Sequence, residues 1–248
     1  EYALQKNLYV LLEKPVSPKS KDIKAFMKKN PNSLNRILVG FNKRFYPSIT
    51  KLSSYIKEGK LSKIIGGTIS FATQQGGKLG KAGILQNLIH TCDLVCHIFG
   101  NPVEVKTNFS KALNDDRRGK TINSTILTEA GSSVGLFFTS SSNWKLFTHE
   151  RIEIFDDNKG KVLIEDCDKI YLSRLDKTQP SDNWGNYPVI NEYNKQSNSI
   201  FYRDSSFGYE QQINLFGDLV QGKLDTYYPD LASALNAQIL FESIFSSE

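Results

Sequence analysis

Two short segments carry the residue types best suited to chemistry. Glu13-Lys14-Pro15 follows an apolar run of strand length, and a lysine there would place its ammonium at the carboxyl end of a strand, where open parallel sheets bind ligands. Gln86 and Asn87 lie four and three residues before His90, so all three can share one face of a helix. A histidine presented beside a carboxamide could do acid–base work on a substrate hydroxyl.

Each segment alone also has an ordinary structural explanation. Lys14 could be a surface lysine at a turn, and His90 a core histidine bonded to a neighbour. A metal site from His90, Asp93 and His97 is the weaker alternative, because Asp93 lies off the line of the two histidines. We therefore expect no metal.

The elements around Lys14 predict a parallel βαβ unit. The apolar runs at residues 7–12 and 36–41 have the length and composition of strands buried on both faces. A helix through Ile23, Phe26 and Met27 separates them, and two parallel strands need such a crossover.

The elements around His90 are predicted from periodicity. A helix after Pro47 should turn Ile49, Leu52 and Ile56 inward, and the segment 83–99 is the strongest helix in the sequence. Further helices are expected at residues 209–221 and 231–245. Strands are expected at residues 64–73, 103–109, 121–129, 133–139, 151–155 and 161–164.

The connections between these elements are predicted from turn residues. Residues 156–160 have the composition of a hairpin turn, and residues 178–199 that of a long loop. The glycine-rich segment 76–80 is either a substrate-covering loop or a plain connector. The later strands form an antiparallel sheet with one covered face.

The order of elements gives a fold class of α/β plus α+β. We expect residues 1–41 to be the C-terminal part of a dinucleotide-binding Rossmann domain and residues 42–248 an α+β domain for substrate binding and oligomerisation, with the last helix packing back on the first part. No Gly-x-Gly-x-x-Gly occurs in the sequence, and it does not start with Met. We therefore expect roughly 70 to 90 further residues upstream, and weak NAD(P) binding by this chain alone.

Composition excludes several classes of partner. The 248 residues carry a net charge of +5, and the densest basic cluster, residues 19–29, lacks the interleaved aromatic residues of a nucleic-acid site. No apolar stretch is long enough to span a membrane. The three cysteines have no paired spacing, and Cys92 and Cys96 are better explained as buried apolar residues. We expect reduced thiols and a cytoplasmic protein.

Taken together, the motifs resemble the Gfo/Idh/MocA family of glucose–fructose oxidoreductases and inositol dehydrogenases. The resemblance rests on the strand ending at Glu13-Lys14-Pro15, on the segment Gly40-Phe41-Asn42-Lys43-Arg44-Phe45, and on Asn87-x-x-His90-x-x-Asp93-Leu94 in a helix ending in glycine. The Gly208-Tyr209-Glu210 and Asp230-Leu231 segments are also similar to that family, so the resemblance covers essentially the whole chain.

The resemblance implies an enzyme that uses NAD or NADP to oxidise a hydroxyl of a sugar, sugar nucleotide or polyol. Lys14 matches the lysine near the nicotinamide, with Glu13 and Pro15 beside it at the cofactor, and His90 matches the acid–base histidine. A homo-oligomer, dimer or tetramer, through the C-terminal sheet is also implied.

The substrate residues implied by the resemblance are Asn42, Arg44, Gln86 and Asn87, although for Arg44 a structural role at the domain junction is an equal alternative. The commoner family motif Asp-x-Gly-x-His is altered here, with Gln86 in the aspartate position and Leu88 in the glycine position. Two other functions therefore stay open: a non-catalytic binding or regulatory protein with this fold, and an NAD-dependent enzyme that cleaves glycosides.

Overall fold

The computed structural model describes residues 1–73, 80–111, 120–140, 149–166, 169–173, 189–194, 208–224 and 228–246. Its helices are α1 (Tyr2–Gln5), α2 (Ser20–Lys29), α3 (Pro47–Lys57), α4 (Gly80–Phe99), α5 (Tyr209–Val220) and α6 (Leu231–Ile244). Two 3-10 helices span Pro31–Arg36 and Asn42–Phe45. Its strands are β1 (Val10–Leu12), β2 (Ile37–Val39), β3 (Ile64–Thr73), β4 (Pro102–Lys111), β5 (Lys120–Thr128), β6 (Ser133–Ser140), β7 (His149–Asp156), β8 (Lys161–Glu165), β9 (Lys169–Ser173) and β10 (Val189–Asn194).

The first two strands pair in parallel, as the sequence predicts. Leu12 lies opposite Val39, and the Gly40 N–H donates to the Leu12 carbonyl at 2.8 Å, so the two strands end side by side. Helix α2 connects them, with Ile23 buried and its lysines exposed. The solvated helix face expected for the basic cluster is confirmed.

The remaining strands form one sheet in the described residues, in the order β10-β9-β8-β7-β3-β6-β5-β4. Alternate residues of its central strands are fully buried, as period-2 alternation requires. Examples are Ile122, Ile126, Val134, Phe138, Ile152 and Ile154. Helices α4 and α6 contact this buried side, which confirms one covered face. The pairs are antiparallel except β3 with β6, which run parallel because α4, β4 and β5 lie between them in the chain.

The hairpin predicted at residues 156–160 is confirmed. The buried Asp156 carboxylate accepts the backbone N–H groups of Asn158 at 3.0 Å and Gly160 at 2.5 Å. It also accepts the Ser62 N–H at 2.9 Å. One carboxylate therefore closes the turn and joins it to the chain ahead of β3.

Two expectations about individual segments are wrong. In α3, Ile56 is 43% exposed while Tyr55 is fully buried, because Tyr55 continues the inward line of Ile49 and Leu52 at a spacing of three residues. The predicted loop at 178–199 contains β10, which includes Val189, Ile190 and Tyr193 and whose backbone pairs with β9. The glycine-rich residues 76–79 lie outside the described residues.

Helix α6 joins the first two strands to the rest of the chain. Eight of its residues, among them Leu240 and Phe241, are buried, and the Asp230 side chain caps it by accepting the Ser233 N–H at 2.8 Å. Glu242 accepts two hydrogen bonds from Ser20 at the start of α2, each 2.6 Å long. Pro229, just before α6, accepts the Val39 N–H at 2.8 Å. No helix in the described ranges is long and apolar enough to cross a membrane.

Gly208, just before α5, lies against the 3-10 helix Asn42–Phe45. Its φ is +72°, and a Cβ there would overlap the Asn42 carbonyl oxygen and lie 2.9 Å from Phe45 Cβ. We expect Gly208→Ala to lower the free energy of unfolding by about 3 kcal/mol or more, because left-handed strain adds to the overlap. Gly222→Ala is the matched control. Its φ is +66° with no atom within 4 Å, so only about 1–2 kcal/mol of strain is expected. Equal losses in urea denaturation would contradict this account.

Candidate active site

The candidate site lies where β1 and β2 end. Parallel strands that end together leave their following residues at one edge, which is where open sheets bind ligands. Glu13 and Lys14 follow β1, while Phe41 and the 3-10 helix Asn42–Phe45 follow β2. Gly40 makes room at this edge, because a Cβ there would lie 3.1 Å from a Glu13 carboxylate oxygen.

Lys14 reaches helix α4 from this edge. Its Nζ donates to the backbone carbonyl of Gln86 at 2.8 Å. Burial lowers the pKa of the Lys14 ammonium, Glu13 opposes this shift and the nearby Lys43 adds to it. The ammonium is therefore fixed one helical turn before His90.

His90 is half-buried on α4, next to Phe41. The two rings meet edge to face, with centroids 6.3 Å apart. Its Nδ1 atom is buried and has no hydrogen-bond partner among the described residues. Burial, then the charges of Lys43 and Lys14, hold the pKa of the imidazole well below 6.5. His90 is thus a neutral base at neutral pH.

Gln86 and Asn87 are positioned differently from one another. The Gln86 side chain is exposed and only its carbonyl contacts Lys14, a backbone role that no sequence signal reveals. Asn87 is partly buried and donates from Nδ2 to the Gly83 carbonyl of the preceding turn at 3.2 Å. Leu88 is fully buried in the core, where it adds apolar packing to α4.

Arg44 and Asp93 form a buried bidentate ion pair. Arg44 Nε and Nη2 donate to the two carboxylate oxygens at 2.8 and 2.6 Å, and the side chains are 5% and 1% exposed. Burial raises the pKa of Asp93, although Arg44 opposes the shift. Of the two roles open for Arg44, this geometry supports the structural one. Asn42, two residues earlier, is buried as well.

Lys43 is the site residue that sequence reasoning missed. Its Nζ lies 2.6 Å from a Glu150 carboxylate oxygen of β7 and 4.0 Å from the centroid of the Phe71 ring. Both side chains of the pair are buried. Phe71 and Glu150 are directly opposite each other on β3 and β7, so the sheet presents them to Lys43 as a unit.

The two cysteines of α4 have no reactive character. Cys92 is fully buried and Cys96 is half-buried against the core, and burial raises the pKa of each thiol above its usual value. The expectation of a buried apolar residue is confirmed for Cys92, while Cys96 is only partly buried.

No family profile matches the sequence, and no curated protein matches it either. Solved structures do match the fold. A dehydrogenase from Chromobacterium violaceum superposes with a TM-score of 0.77 at 16% identity, over 100% of this chain and 71% of that one. A myo-inositol dehydrogenase from Corynebacterium glutamicum gives 0.72 at 16% identity, over 99% and 72% of the two chains. A levoglucosan dehydrogenase in complex with NADH gives 0.74 at 15% identity, over 96% and 71%.

The chain has the fold of the Gfo/Idh/MocA-type dehydrogenases. The resemblance seen in the sequence is confirmed at this level. In this fold the chain positions Lys14 and His90 together at one strand edge, and it uses Arg44 to hold that edge against α4.

The structural role of Arg44 can be tested through stability. Arg44→Met and Asp93→Leu should each lower the free energy of unfolding by about 3–5 kcal/mol, because each leaves an uncompensated buried charge. The double variant should recover most of that loss, since it removes both charges. Chemical denaturation of the four proteins completes a double-mutant cycle. Single variants as stable as the unaltered protein would argue against this role.

Proposed function

We propose that the chain carries the catalytic site of an NAD(P)-dependent oxidoreductase that oxidises a hydroxyl of a sugar, sugar nucleotide or polyol. The observation that carries this proposal is the Lys14 ammonium fixed to the Gln86 carbonyl at 2.8 Å, one turn before the neutral His90. Among structures of the same fold, a levoglucosan dehydrogenase forms a complex with NADH and L-sorbose. That complex supports a sugar-like substrate.

His90 is suited to remove the hydroxyl proton. An alcohol does not ionise near neutral pH, so its oxidation needs a base directed at the hydroxyl. Because the pKa of His90 lies well below 6.5, the imidazole remains a proton acceptor throughout the neutral range. Activity that depends on this base should fall only when the pH drops through that lowered pKa.

Lys14 is suited to stabilise the alkoxide that develops when the proton leaves. Its ammonium uses one donor on the Gln86 carbonyl, and an ammonium has three. A fixed positive charge beside the developing negative charge lowers the barrier without moving at the moment of reaction. We assign Lys14 this electrostatic role and not that of the base.

The residues present fit the nicotinamide end of a dinucleotide cofactor. Glu13, Lys14 and Pro15 follow a parallel strand at its carboxyl end, and the unpartnered Nδ1 of His90 lies in the same region. When bound, the nicotinamide would accept the hydride from the substrate carbon. The proposal includes a Rossmann part up to residue 41, an α+β part over residues 42–248, and substrate contacts from Asn42, Gln86 and Asn87.

The pair Lys14 and His90 can be tested by steady-state kinetics. His90→Ala should reduce turnover by about 10²–10⁴-fold, the usual scale for one acid–base group. Lys14→Met should be at least as damaging while cofactor affinity, measured by calorimetry, stays largely intact. Both variants should fold as judged by circular dichroism.

A screen of free sugars, sugar nucleotides, polyols and glycosides with NAD and NADP supplies the substrate for this test. Unchanged turnover of His90→Ala at every pH tested would show that the proton goes elsewhere. Ligand binding without any turnover would instead favour a regulatory protein, and release of a free aglycone would favour glycoside cleavage.

We also propose that the uncovered face of the large sheet forms a homo-oligomer, as a dimer or tetramer. Phe137 is 40% exposed on β6, with Ser70 of β3 and Asn123 of β5 beside it in register. On the neighbouring β7 and β8, Arg151, Glu153 and Lys161 form ion pairs at 2.8 and 3.2 Å. A face with both an apolar centre and charges of both signs can be complementary to a copy of itself about a two-fold axis.

Phe137→Lys should shift the protein to a monomer, because it places a charge at the centre of the proposed interface. Ile213→Lys is the matched control, since Ile213 is 56% exposed on α5, away from the sheet. Sedimentation velocity would measure both variants over a range of concentrations. The proposed interface would be contradicted if the unaltered protein were a monomer, or if both variants dissociated equally.

A further inference from the structure

Lys43 has no role in the proposed chemistry, yet it is a buried cation on the 3-10 helix that packs against α4, the helix that carries His90. The end of β2 and the following 3-10 helix bring Phe41 and Lys43 to the site together, and the Phe41 ring packs on His90. A buried lysine is rare unless it is paired, and this one is paired with Glu150 of the sheet at 2.6 Å. Its position is therefore fixed relative to the sheet.

The charged groups around His90 are unevenly arranged. Lys14 approaches from β1 and Lys43 from the 3-10 helix, and both act on the imidazole. Arg44 is neutralised by Asp93 on α4 itself, while Glu13 lies beside Lys14.

The other elements that pack against α4 are β3, β6 and α6, and their described residues add little charge near His90. Strands β3 and β6 carry no charged residue. The one acid of α6, Glu242, binds Ser20 at the far side of that helix.

We propose that Lys43 is a positioning residue whose ammonium, fixed by Glu150 and the Phe71 ring, keeps the His90 imidazole in its neutral, proton-accepting form. This inference rests on the proposed function, since only a base must remain unprotonated. The like charge of Lys43 opposes a second positive charge on His90. Glu150 supplies the counter-charge from the side of the sheet, so the buried ammonium is retained without a carboxylate next to the imidazole.

The test reads the protonation of His90 directly. The full chain, with its histidines isotope-labelled, is titrated with pH and followed by NMR. The His90 signal is assigned as the one that disappears in His90→Asn. Lys43→Met should raise the His90 titration midpoint by about one pH unit or more, because it removes one like charge and leaves Glu150 unbalanced. Lys43→Met combined with Glu150→Gln should raise it less, because the acid is removed too. This double variant also avoids an unpaired buried charge if the single variant is unstable.

Two controls separate charge from packing. Lys43→Arg keeps the charge and should leave the midpoint close to its original value. Lys106→Met makes the same chemical change on the exposed face of β4, where Lys106 pairs with Glu104, and should have no effect. An unchanged His90 midpoint in both Lys43→Met and the double variant would overturn the proposal.

Kinetics then separates this proposal from the proposed function. In an active enzyme, the acidic limb of the pH profile of kcat/KM should shift to higher pH in Lys43→Met, together with the NMR midpoint. In Lys43→Arg the limb should stay at its original pH. A shifted midpoint in a protein that oxidises no alcohol would contradict the proposed function alone. An active Lys43→Met enzyme with an unmoved acidic limb would contradict the role of Lys43.

Discussion

The 3-10 helix Asn42–Phe45 is held by two buried ion pairs that lead in different directions. Lys43 binds Glu150 of the sheet, and the next residue, Arg44, binds Asp93 of α4. Separating either pair would leave a charge unpaired in the interior, which is far costlier than the pair itself is stabilising. The turn therefore cannot shift relative to either partner. It joins the end of β2 to the sheet through Lys43 and to helix α4 through Arg44.

The geometry of the site follows from the position of this 3-10 helix. Because β2 runs directly into the 3-10 helix, Phe41 is set against His90, and the parallel pairing of β1 with β2 then determines where Lys14 begins. Lys14 meets the backbone of Gln86, not its side chain. A backbone carbonyl is present whatever residue occupies position 86. The contact that brings Lys14 to the turn before His90 therefore does not depend on the side chain at position 86.

The elements that position the site were largely predictable, and its electrostatics were not. Periodicity located α4, because burial of one helix face leaves a regular apolar pattern, and continuous apolar runs of strand length located the two parallel strands. The inward residue of α3 was mistaken, because Tyr55 and Ile56 are both apolar and adjacent, and only packing decides between them. Strand β10 was missed because its three strand-favouring residues, Val189, Ile190 and Tyr193, stand in a segment that is otherwise rich in Asn, Ser and Pro.

The ion pairs could not be predicted for a different reason. Lys43 and Glu150 are 107 residues apart, and no local spacing indicates which lysine of the chain will be buried. Arg44 and Asp93 each stood in a recognisable motif, yet their motifs did not indicate that they bind each other. Long-range pairing of charges depends on how the sheet and helices meet, and that is settled only in the folded chain.

The charge distribution connects this architecture to the chemistry. Arg44 is matched within the core by Asp93, whereas Lys14 and Lys43 both act on His90 while their acids, Glu13 and Glu150, lie beside them and not beside the imidazole. The sum of these charges is close to zero, so the fold avoids the cost of a net buried charge. The electrostatic potential at His90 is nevertheless made more positive by the two lysines. Such a potential disfavours a proton on the imidazole and favours an alkoxide near the ammonium groups, which are the two conditions that alcohol oxidation requires of its protein.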